Sequence, residues 1–201
     1  MEVDNRLLVA VAVIVIIVVL FVFFGEQKKQ ISFSEGINKV NGLWVESGFT
    51  SGSLNELSQS QISLEQLNVL NGELILFQDS LSGYKQSQSV EALKDYVEIH
   101  LYVVEELKLA LKIKNTKHEL ETASEDDICF HYNELNALGE NTILLNQQMK
   151  TVNEAIYFFS EEHPDFLDES NFESLLVDAS DFDSIIAENH AVLEQLREAC
   201  T

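Results

Sequence analysis

The sequence predicts an all-α protein, with a single N-terminal transmembrane helix followed by an antiparallel bundle of about four helices. Three observations carry this expectation. An eighteen-residue apolar run lies near the N-terminus, apolar residues recur at three-four spacing through most of the remainder, and Pro164 is the single proline in 201 residues.

The apolar run, LLVAVAVIVIIVVLFVFF at residues 7–24, has no polar side-chain atom. As a helix it is ~27 Å long, close to the hydrocarbon thickness of a bilayer. Its Leu, Ile, Val and Phe side chains together favour insertion by roughly 5 to 10 kcal/mol. A cleaved signal peptide fits less well, because the exit reads FVFFGEQ, with phenylalanine where a peptidase needs small residues. The bilayer is therefore an expected partner through residues 7–24, behind a tail of residues 1–6. Lys28, Lys29 and Lys39 against Arg6 weigh towards a cytoplasmic domain. The short tail and the cysteine pattern described below weigh towards export, and an extracytoplasmic domain is the expectation.

Residues 25–60 read as a connector, since five of the eight glycines fall between positions 25 and 52. Within it Phe33, Ile37, Val40 and Trp44 recur at helical spacing, so a short amphipathic segment lies on the membrane surface or docks on the domain. The bundle is expected over residues 61–201. Its first stripe is Leu67, Leu70, Leu74, Phe77, Leu81 and Tyr84, entered through Ser63 with Gln66 three residues on, a capping box. A second runs from Val90 through Leu93, Val97, His100, Val104 and Leu107 to Leu111, with further apolar residues on other faces, so this helix is the most buried. The third starts after Ser124, whose following acids suit a helix N-terminus, and continues through Ile128, His131, Leu135, Thr142 and Phe159 until Pro164 stops it. A short helix entered at Ser170 and a last one carrying Phe182, Ile186, Leu193 and Cys200 complete the chain. Short links favour antiparallel neighbours within one chain, although a sustained heptad also permits a coiled coil between chains.

The net charge is −22, and twenty acidic residues against Lys150 and Arg197 fall from Glu119 onward. That surface repels phosphate backbones, so nucleic acid is not an expected partner. No site chemistry emerges from the spacing. The residues three before each histidine are not acidic, HExxH is absent, and the acid-rich segment near residue 170 has no glycine for a calcium loop. His100 and His131 sit ~16 Å apart along a hairpin centred near residue 121, too far to share an ion. His190 and Glu194 are an ordinary pair four apart on one helix. No catalytic, cofactor-binding or metal-binding residue is expected, and no cofactor. A hairpin centred near 121 instead places His100 opposite Thr142, in a shared polar layer. Cys129 and Cys200 lie at nearly equal distances on either side of Pro164, which brings them to one end of the bundle and predicts a disulfide in an oxidising compartment. The function expected is a membrane-anchored helical interaction or scaffold module without catalytic activity, acting on a protein partner. A ligand-sensing bundle is the alternative.

Overall fold

The computed structural model describes residues 28–49, 62–122, 129–172, 175–176 and 181–200. The expected anchor at 7–24 lies outside them, and among the described residues no helix is long and apolar enough to cross a membrane. The architecture is all-α: α1 (Phe33–Glu46), α2 (Leu64–Ser80), α3 (Gln88–Thr122), α4 (Tyr132–Glu162), α5 (Leu167–Ser170) and α6 (Phe182–Cys200).

α1 opens with a capping box. The Glu35 amide donates to Ser32 Oγ at 3.2 Å, and the Ser32 amide donates to Glu35 Oε2 at 2.9 Å. Its apolar face, Phe33, Ile37, Val40 and Trp44, is buried in the same core as α2 and α3. The amphipathic segment therefore docks on the bundle, and a boundary at residue 61 falls between two helices that share one core. The glycines misled for a physical reason. A Cβ on Gly36 would lie 2.1 Å from Leu93 Cδ2, so that glycine marks a close helix approach rather than a flexible link.

α2 begins at the Ser63–Gln66 capping box read in the sequence and buries Leu67, Leu70, Leu74 and Phe77. A short 3-10 turn, Leu81–Gly83, follows. α3 is a single helix of 35 residues that continues unbroken through HELET at its C-terminal end. Val90, Leu93, Val97, Val104 and Leu107 are wholly buried, and Ile99 and Val103 are nearly so on another face. Burial of more than one stripe follows from neighbours on both sides, α2 and α4.

α4 starts at Tyr132 with no side-chain cap, later than expected, and Ser124 and Ile128 lie outside the described residues. It ends at Glu162, just ahead of Pro164, whose ring disfavours helical geometry in the residue before it. The expected helix start at Ser170 is corrected. Ser170 closes α5 instead, its hydroxyl donating back to Leu167 O at 2.6 Å, and Asn171 leaves the helix in the left-handed region at φ 53°.

α3 and α4 run antiparallel. Gln148 Nε2 donates to Tyr102 O at 3.1 Å, and His163 Nε2 lies 2.7 Å from Asp95 Oδ2. The Gln148–Tyr102 contact centres the hairpin near residue 125, about four residues beyond the expected centre. α6 returns antiparallel along α4, with the Lys150–Asp183 ion pair at 2.9 Å near its start. Leu193 packs where a Cβ on Gly139 would otherwise stand, 2.4 Å from Leu193 Cδ2.

Candidate functional site

Two depressions flank the segment from α5 to Leu176, and Asn171 lines both. The larger is a groove of about 630 Å³ between α4 and that segment, lined chiefly by Ile156, Tyr157, Leu167, Phe172 and Leu176. Tyr157 is 65 % exposed and Leu176 50 %, so large apolar side chains stand in solvent here. Asp168 lines the groove as well, and Tyr157 donates its hydroxyl to Glu161 Oε1 at 2.8 Å. The groove is thus an apolar strip edged with acids.

The smaller depression, about 340 Å³, lies between α1, α3 and the residues Glu169, Ser170, Asn171 and Leu175. Trp44, Tyr96, His100 and Leu175 are buried residues of its lining, while Asn41, Glu169 and Asn171 are exposed. Trp44 Nε1 donates to His100 Nδ1 at 3.1 Å. An indole nitrogen only donates, so Nδ1 is the lone-pair nitrogen and the neutral ring carries its proton on Nε2. Burial pushes the His100 pKa down to about 3, so the ring is neutral at physiological pH. Nε2 is fully buried with no hydrogen-bond partner among the described residues. Such an orphan donor costs about 1 to 3 kcal/mol. Tyr96 lies 4.6 Å away with its ring tilted by 59°, and Phe172 stands 6.5 Å away, centroid to centroid, so the ring sits among aromatic neighbours.

The polar layer expected between His100 and Thr142 is not formed. His100 is engaged by Trp44, and Thr142 donates its hydroxyl within its own helix to Leu138 O at 2.8 Å. The displaced hairpin centre explains it, because it moves the α4 residues facing His100 about two turns past Thr142. His131 stands at the N-terminus of α4, and Glu194 pairs with Arg197. Among the described residues no cluster of three or more His, Cys, Asp or Glu is placed to hold a metal ion. Cys129 and Cys200 are joined, with S–S 2.06 Å and Cα–Cα 5.2 Å, linking the start of α4 to the end of α6.

Glu106 escaped sequence reasoning altogether. It is buried on α3, and desolvation pushes its pKa up to about 7. The signal for it was present: Ile99, Val103, Glu106 and Ala110 follow three-four spacing, a second stripe on a helix expected to be buried on several faces.

No protein-family model matches the chain, and neither a curated protein nor a solved structure matches it.

Proposed function

We propose that the protein is a membrane-tethered helical interaction module without catalytic activity of its own, and that the groove between α4 and the α5–Leu176 segment receives its protein partner. The observation that carries this reading is the exposure of Tyr157 and Leu176 beside buried Phe172 in one groove of about 630 Å³. The charge around it defines the partner. Asp168 lies in the groove and the chain carries a net −22, so the docking segment bears lysine or arginine around an apolar face.

The tether is the apolar run at residues 7–24, and the soluble domain lies on the extracytoplasmic side. The Cys129–Cys200 pairing supports that side, because disulfides persist in oxidising compartments. A photo-crosslinking side chain in place of Tyr157 tests the docking in intact membranes. It should join the full-length chain to one protein, and Leu176→Asp should abolish that product. Crosslinks unaffected by Leu176→Asp, or a measured turnover abolished by a single substitution, would replace the reading. Protease protection of membrane vesicles tests the side.

A further inference from the structure

On the other flank of α4, against α3, lies a further depression of about 240 Å³ whose lining combines aromatic rings with carboxylates. Ile99 and Phe159 are its buried apolar residues, Tyr102 and the 61 % exposed Phe158 stand beside them, and Asp95 and Glu98 supply the charge. The two acids are three residues apart on α3 and so share a face of the helix. Tyr102 donates its hydroxyl to Glu98 Oε1 at 2.6 Å, and His163 Nε2 lies 2.7 Å from Asp95 Oδ2, which leaves the second oxygen of each carboxylate for a ligand. No lysine or arginine lines the depression, and among the described residues none pairs with either acid.

We propose that this depression receives an arginine side chain of the protein that docks in the groove beside Tyr157, its guanidinium held by Asp95 and Glu98 and lying against the Phe158 ring, an assignment that rests on the docking reading above. Continuity comes first. Tyr157 and Phe158 are consecutive exposed residues of α4, one lining each depression, so a single partner segment laid across that ridge reaches both. Charge comes second, because two carboxylates without a basic neighbour call for a cation. The apolar lining then decides which cation. A guanidinium is planar, weakly hydrated and stacks on aromatic faces, whereas an ammonium is compact and strongly hydrated. The volume lies below the usual range of small-molecule sites and suits one side chain.

The full-length chain in lipid nanodiscs, with carbon-13 in its phenylalanine rings, is titrated with ethylguanidinium, ethylammonium and ethylurea, which share an ethyl group and differ in charge and planarity. Ethylguanidinium should shift the Phe158 ring resonances saturably, with a Kd about five-fold or more below the other two. Glu98→Gln, which keeps an acceptor for Tyr102, should remove that preference. The same variant and Phe158→Leu are then read in intact membranes, where the product crosslinked from position 157 should fall several-fold in each. Both side chains are exposed, so neither change removes a core contact. Ethylammonium or ethylurea binding as tightly as ethylguanidinium, or no shift with any of them, overturns the proposal. A crosslinked product that survives Glu98→Gln undiminished but is abolished by Leu176→Asp overturns it too, and leaves the docking reading standing. Absence of any product from the chain with Glu98 and Phe158 intact defeats the docking reading itself, and the arginine assignment with it.

Discussion

Trp44 on α1 and His100 on α3, 56 residues apart, share one buried hydrogen bond of 3.1 Å that ties the first helix to the longest. Trp44→Phe leaves His100 Nδ1 buried without its donor, and should cost about 2 to 3 kcal/mol by chemical denaturation. The double variant Trp44→Phe, His100→Phe removes both polar partners and should be less destabilised than Trp44→Phe alone. Additive losses would mean that the two rings contribute through packing only.

The pH dependence should carry opposite contributions from two buried groups. His100 has a folded pKa of about 3 against 6.5 for the free side chain, so the unfolded chain binds its proton first. Its contribution is present above pH 6.5 and is lost as pH falls towards 3, amounting to several kcal/mol. His100→Phe should flatten that part of the stability profile, measured as the difference from wild type between pH 4 and 7.

Glu106 acts in the other direction. Its folded pKa of about 7 lies above the ordinary 4.5, so its contribution is present below pH 4.5 and lost as pH rises through 7. Glu106→Gln should raise stability at pH 8 by about 2 to 3 kcal/mol and change it little at pH 4. A variant equally stabilised at both values would show that ionisation is not the cause.

Two glycines of α1 should respond oppositely to alanine. At Gly36 the new methyl meets the buried Leu93 side chain, 2.8 Å from its Cγ, and overpacking of this kind costs about 1 to 3 kcal/mol. At Gly42 nothing lies within 4 Å, so Gly42→Ala should stabilise by up to about 1 kcal/mol through helix propensity. Thermal midpoints moving the same way for both would contradict the close approach of α1 and α3.

Replacing Cys129 and Cys200 together by serine should lower stability by roughly 4 kcal/mol on the chain-entropy account, because 71 residues separate them. An unchanged denaturation midpoint would place the two thiols apart in the native protein.

Local features were the most legible. The Ser63–Gln66 capping box and the Leu67 to Phe77 stripe depend on neighbours within one or two turns, and they stand as read. What escaped depends on distant partners. Glycine frequency resembled a linker until Leu93 stood against Gly36, a contact that no local pattern encodes. The partner of His100 was misassigned because a hairpin centre displaced by about four residues changes its facing positions by twice that number. The depressions on either side of Asn171 depend on a left-handed turn and on α5, too short for periodicity to reveal.

The bond between Cys129 and Cys200 makes a closed ring of α4, α5 and α6. A protease that cuts once inside that ring liberates no fragment. The pieces remain one molecule of unchanged mass, apart from the water added, still attached through residue 129 to everything upstream. Only a thiol reductant lets the distal piece leave, so cleavage and release become two separate events with separate requirements.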